Sequence, residues 1–169
     1  LDVSPEMSVT KTANPTSVNE PGSNVTFSVL VNNDSTAASD DLTITSLTDN
    51  IFGNIADSGN GSLISTNCSV PQTIVSGSSC GCSFTVFVGG APSTVHEDTV
   101  TAVASDEEGN ELTRDDPATV DINDLDSSCT LTQTANLTSV NEPSDSVEFS
   151  IRIDNDSAVD VLTINSLVD

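Results

Sequence analysis

Three sets of residues in this chain have types and spacings that could do chemistry. The first carries oxygen. There are 26 Asp and Glu against 3 Lys and Arg, a net charge of -23. The acidic groups stand beside Asn in short clusters: Asn19-Glu20, Asp34, Asp49, Asp106-Glu107-Glu108, Asp121-Ile122-Asn123-Asp124 and Asp154-Asn155-Asp156. A hard cation such as Ca2+ takes about six to eight donors of this kind, from carboxylates, amides and carbonyls. The second set is Cys68, Cys80, Cys82 and Cys129. No histidine lies near them, and Cys80-Gly81-Cys82 is one residue too tight for the usual zinc pair, so disulfides are the expected chemistry. The third set is His96 and Lys11, each the only one of its type. A Ser-His-acid triad would have to use His96. Its neighbours Glu97 and Asp98 read more simply as exposed turn charges, and no Gly-rich phosphate loop precedes a helix, so the chain is not expected to be an enzyme.

The acidity excludes nucleic acid and anionic membrane as partners, since phosphate rewards Lys and Arg. It favours cations or a very salty medium. No run of 18 or more apolar residues exists, so no helical span is expected. The chain does not begin with Met and shows no signal peptide, which reads as an internal or processed segment. Disulfides place it outside the cytosol, at a cell surface or beyond.

The residues that position these groups belong to strands. Val25, Phe27, Val29 and Val31 alternate with polar residues, as do Cys82, Phe84, Val86 and Val88. Apolar residues are 35% of the chain and mostly small or β-branched, which suits two facing sheets. Expected strands cover 7–12, 24–32, 41–48, 62–66, 72–75, 82–88, 97–104 and 117–123, with prolines in turns or at strand edges. No stretch carries a helical period.

The sequence repeats itself. Ser17-Val18-Asn19-Glu20-Pro21 returns as Ser139-Val140-Asn141-Glu142-Pro143, an offset of 122 (141 minus 19). Thr12-Ala13-Asn14, Phe27-Ser28 and Asn33-Asp34-Ser35 recur at the same offset. After a two-residue deletion, Leu42-Thr43-Ile44 matches Leu162-Thr163-Ile164. This is internal homology. The expected fold class is all-β, with immunoglobulin-like β-sandwich tandem repeats and a truncated second repeat. The expected divisions are 1–6 linker, 7–124 first repeat, 125–128 linker and 129–169 the N-terminal part of the second repeat. A half-sandwich leaves sheet edges and core open. The array is therefore expected to continue at both ends, or to be completed by a neighbouring subunit, including by strand donation.

In such a sandwich, strands alternate between two poles. Glu20, Asp49 and the exit segment Asp121, Asn123 and Asp124 should share the pole where the chain leaves, facing Asp154 and Asp156 of the next repeat. Five such groups at one seam would repel without a cation. Asp34 with Asp106 and Glu108 forms a second candidate at the opposite pole. The competing reading is that Asp and Asn here are turn formers and solvated charge, and that Asp106–Asn110 is an ordinary hairpin loop.

The junction resembles that of cadherin repeats, where an Asp-X-Asn-Asp linker binds calcium with a Glu and an Asp-X-Asp of the following domain. Here these are Asp121-Ile122-Asn123-Asp124, Glu20 and Asp154-Asn155-Asp156; the cadherin Asp-Arg-Glu motif is absent. The whole repeat resembles bacterial and archaeal cell-surface repeat domains that begin Lys-Thr-Ala-Asn-Pro (11–15). Such domains carry Cys…Pro-Gln-Thr…Cys (68, 71–73 and 82) and end in Val-Thr-Ala-Val-Ala-Ser-Asp-Glu-Glu-Gly-Asn (100–110). This resemblance implies a Cys68–Cys82 bridge. Cys80 would then be left to pair with Cys129, and the alternative is Cys68–Cys80 with Cys82 and Cys129 free. An intramolecular Lys–Asn amide, known in some surface adhesins, would need Lys11. The repeat has Gln133 at that position, so the staple is not a property of the repeat.

Together these features lead us to expect a calcium-stiffened, disulfide-stabilised extracellular stalk or filament whose partner is itself. The rival is an adhesin displaying a receptor or glycan site, disfavoured by five Phe with no Tyr or Trp. A third reading is a halophile surface protein whose acidity serves solubility. Sequons at Asn24, Asn33, Asn60, Asn67, Asn136 and Asn155 are expected by chance in so Asn-, Ser- and Thr-rich a chain.

Overall fold

Alternating patterns over most of the chain produce strands and no helix in the computed structural model, which describes residues 4–36, 40–143 and 146–168. Leu1-Asp2, which resembles Leu125-Asp126, and Asp169 lie outside the described residues. The chain divides into two compact units, Leu1–Asp124 and Leu125–Asp169.

In the first unit, β1 (Met7–Asn14), β3 (Gly22–Asn33), β8 (Ser79–Gly89) and β6 (Ser65–Thr66) form one sheet, in the order β1-β3-β8-β6. The second sheet runs β2 (Ser17–Asn19), β10 (Glu111–Asn123), β9 (Thr94–Ser105), β4 (Leu42–Asp49) and β5 (Gly53–Asn54), with β7 (Gln72–Ile74) also on β4. Pairing is antiparallel except between β2 and β10, which run parallel. Most strands are those the alternation predicts, extended by one to six residues, while 41–48 shifts to Leu42–Asp49 and 72–75 shortens to Gln72–Ile74. The exceptions are short: 62–66 narrows to Ser65–Thr66, and β2 and β5 are edge pieces of two or three residues.

One apolar core lies between the sheets. Val25, Phe27, Val29 and Val31 of β3 and Phe84, Val86 and Val88 of β8 meet Val100, Ala102 and Ala104 of β9, with Val120 and Ile122 of β10. Phe27 and Phe84 stack with ring centroids 5.4 Å apart, and Phe52 leans on both. With no Trp or Tyr, these three rings are the largest side chains available to fill the interior.

A β-bulge decides which face of β4 looks inward. Ile44 pairs with Ala104 and Ser46 with Val103, leaving Thr45 as the extra residue. An extra residue reverses the period-two alternation. Leu42 and Ile44 are buried before the bulge, Leu47 and Asp49 after it.

The second unit contains the hairpin β11 (Cys129–Ala135) and β12 (Phe149–Asn155). Its register runs from Cys129↔Asn155 to Ala135↔Phe149, and that of β1 and β3 from Met7↔Asn33 through Ala13↔Phe27. Every pair is displaced by 122 (129 minus 7, 155 minus 33). The brackets at the hairpin mouth match too. Asn33 Oδ1 accepts from Ser35 N and its Nδ2 donates to Asp40 O, while Asn155 Oδ1 accepts from Ser157 N and its Nδ2 donates to Asp160 O. The Ser35 hydroxyl accepts from Glu6 N, and Ser157 from Ser128 N.

Candidate functional site

The chemically unusual place in the first unit is its core. β1 buries Met7 and Lys11, with Val9 and Ala13 half-buried on the same side, so the chain's one lysine stands at an inward position. The Lys11 Nζ lies 2.6 Å from Asp49 Oδ2 and 2.7 Å from Asp98 Oδ1, and all three side chains are fully buried. It also sits 4.3 Å from the centroid of Phe27 and 5.4 Å from that of Phe84. The lysine comes from one sheet and both carboxylates from the other.

The two carboxylates are held differently. Asp49 follows the β4 bulge and opens a turn, in which its Oδ1 accepts from Ile51 N at 2.9 Å and Phe52 N at 3.0 Å. Both of its oxygens are therefore engaged. Asp98 lies on β9 at the inward parity shared by His96, Val100, Ala102 and Ala104. Its Oδ1 lies in ion-pair contact with Lys11 without a well-aligned hydrogen bond, and its Oδ2 takes none either, with His96 Nε2, itself without a hydrogen bond, 3.7 Å away. Burial pushes the Asp98 carboxyl above the ordinary carboxylate range, against the close contact and positive charge of Lys11. Three ionised groups would leave one uncompensated negative charge in an apolar core, which proteins avoid by protonation.

Glu97 and Asp98 are thus not a pair of exposed turn charges: Glu97 is exposed, but Asp98 is in the core. Three charged residues at core parity in β1, β4 and β9 carried a signal in the sequence. The bulge at Thr45 hid one of them, because simple alternation turns Asp49 outward.

The acidic candidates separate. Asp49 does not stand at a surface pole with the exit segment, since its carboxylate is buried and committed to Lys11, Ile51 and Phe52. Glu20 does meet the exit strand: its N–H donates to Asn123 O, and Asn19 pairs with Asn123 where β2 runs beside β10. Asp121, Asn123 and Asp124 are exposed. In the second unit, Asp154 is paired with Arg152 at 2.7 Å and Asp156 Oδ2 accepts from the Thr130 hydroxyl. Asp34 and Glu108 are exposed. Asp106 closes its own loop, accepting from Asn110 N and Nδ2 at 2.7 Å. Desolvation opposes ionisation there, but the hydrogen bonds from Asn110, Gly109 and Glu108 outweigh it and hold the Asp106 carboxyl below its usual range. Among the described residues, no three His, Cys, Asp or Glu side chains are grouped to hold a metal ion.

Cys68 and Cys82 form a disulfide, linking the segment after β6 to β8. Cys80, in the first unit, and Cys129, in the second, carry free thiols. Asn33, a sequon asparagine, is buried with its amide nitrogen shared between Asp40 O and Ile74 O, so it presents no glycan acceptor in the folded unit. Among the described residues no helix is long and apolar enough to cross a membrane. The sequence matches no protein-family model and no curated protein.

Proposed function

We propose that the chain is a structural segment of an extracellular tandem-repeat protein, in which immunoglobulin-like β-sandwich modules are strung into a surface stalk or filament. The observation that carries this reading is the hairpin built twice, 122 residues apart, with the same register and the same Asn–Ser brackets. A duplicated module whose interior is stapled by a disulfide suits a role in bearing load and spacing, and the disulfide suits an oxidising compartment. Immunogold labelling of intact producing cells with an antibody to residues 7–124 tests it. Label along surface fibres is the expected result, and label only inside permeabilised cells would overturn it.

Calcium at the junction between modules is a second reading, favoured by the β2–β10 pairing that sets Glu20 beside Asn123 at the exit of the first unit. The ligands would be Glu20, Asp121, Asn123 and Asp124, with Asp154 and Asp156 of the following module; Asp49 is not among them. Thermal unfolding of the whole chain with calcium and with chelator, at fixed ionic strength, decides this. A loss of stability on chelation that Asp124→Ala abolishes supports it, and indifference to calcium rejects it.

A further inference from the structure

Lys11, Asp49 and Asp98 are arranged as the parts of a condensation reaction. The Nζ is held in hydrogen-bond contact, 2.6 Å, with Oδ2 of the Asp49 carboxylate whose carbon it would attack, so the two groups need no diffusional encounter. The other Asp49 oxygen accepts two backbone N–H groups, from Ile51 and Phe52, which stabilise negative charge developing on that oxygen. Asp98 lacks such donors. It touches Nζ with one oxygen and leaves the other without a hydrogen bond, which suits a group that carries a proton. The rings of Phe27 and Phe84 wall the site and exclude water that would reverse the reaction.

We propose that Lys11 and Asp49 join through an intramolecular amide between Nζ and Cγ, formed by the folded chain itself with Asp98 as proton shuttle. The ammonium of Lys11 gives one proton to Asp49 Oδ2, and the amine lone pair then attacks Asp49 Cγ. Negative charge collects on Oδ1 under the Ile51 and Phe52 N–H groups. Asp98 delivers its proton to the departing Oδ2 hydroxyl and takes one from Nζ. The C–Oδ2 bond breaks, one water leaves, and Asp98 ends protonated as it began. No oxidant or co-reactant is needed. The product replaces a buried ion pair by a neutral amide and ties the sheet of β1 to the sheet of β4. The second hairpin has Gln133 at the Lys11 register position and supplies no amine there. The reaction is independent of where the protein works and of calcium.

Intact mass of the full chain under denaturing conditions tests the proposal. The parent should be lighter by one water, about 18 Da, than its sequence with one disulfide. Peptide mapping should recover Lys11 and Asp49 in one branched peptide. Lys11→Arg should show no loss. Asp98→Asn, folded by circular dichroism, should form the link about 100-fold more slowly or worse. A parent chain of unreduced mass after prolonged incubation in its folded state overturns the proposal whatever the variants do. So does a dehydrated peptide with Lys11 free. A branch at Asp98 overturns the assigned roles.

Discussion

Asp98 approaches Lys11 through one oxygen at 2.7 Å, while its other oxygen, equally buried, takes no hydrogen bond. A carboxylate so poorly solvated holds its proton to higher pH in the folded state than in the unfolded chain. Between the unfolded and the folded pKa the native state binds more protons, so this group's contribution falls as pH rises. It is fully present below the ordinary carboxylate range and lost as pH climbs through the raised folded value. Asp98→Asn mimics the protonated form and should remove that slope. Urea unfolding of parent and variant across the acidic to neutral range measures it. A stability difference that does not change with pH would remove Asp98 as a titrating core group.

Asn33 and Asn155 hold the mouths of their hairpins by the same bonds, but only Asn33 is buried. Asn33→Ala removes the side-chain amide that bonds Asp40 O, Ile74 O and Ser35 N in the interior. At about 1 kcal/mol or more for each buried hydrogen bond lost, the first unit should lose about 2–4 kcal/mol. Asn155→Ala, at an exposed position, should change stability by less than about 1 kcal/mol. Chemical denaturation of the two variants gives the comparison, and equal effects would contradict it.

The strand pattern was legible because its signal is local: inward valines and phenylalanines alternate with Thr and Ser, and Pro and Gly mark the ends. The repeat was legible for the same reason. The core cluster was not, for two physical reasons. Asp98 stands next to Glu97, and a pair of acids beside the lone histidine reads as surface. Asp49 owes its inward direction to the Thr45 bulge, a non-local feature of pairing with β9. Lys11 was noticed as the sole lysine, but a partner on another sheet is invisible without the fold. The disulfide came from a resemblance rather than from spacing, since Cys80 and Cys82 offer Cys68 nearly equal loops. The expected second bridge, from Cys80 to Cys129, asked the sequence to state how two units meet.

Cys68 and Cys82 enclose a loop of about 15 residues, for which chain entropy gives about 3 kcal/mol of stabilisation. Replacing both by Ala should lower stability by about that amount, with Cys80 left as a free thiol. In the parent, alkylation under denaturing, non-reducing conditions should modify Cys80 and Cys129 and spare the other two. Peptide mapping of the alkylated chain reads this directly. Modification of Cys68 or Cys82 before reduction would mean a different pairing in solution.

Thr45 makes a sharper test of the fold than any large side chain, because its contribution is positional. Its hydroxyl donates to Val103 O at an exposed site, so Thr45→Ala should lose about 0.5–1.5 kcal/mol, the net value of one hydrogen bond. Deleting the residue removes the bulge and, with it, the break in alternation. Ile44 is then followed directly by Ser46, opposite consecutive residues of β9, so Ser46 and Thr48 stay outward and Leu47 and Asp49 stay inward. Asp49 keeps Lys11 and the N–H groups of Ile51 and Phe52 within reach. The deletion should therefore cost no more than about 2 kcal/mol and leave the first unit folded. Any covalent Lys11–Asp49 link should still form. Thermal unfolding of both variants measures the difference. A deletion variant that fails to fold would mean that the bulge does more for β4 than take up one extra residue.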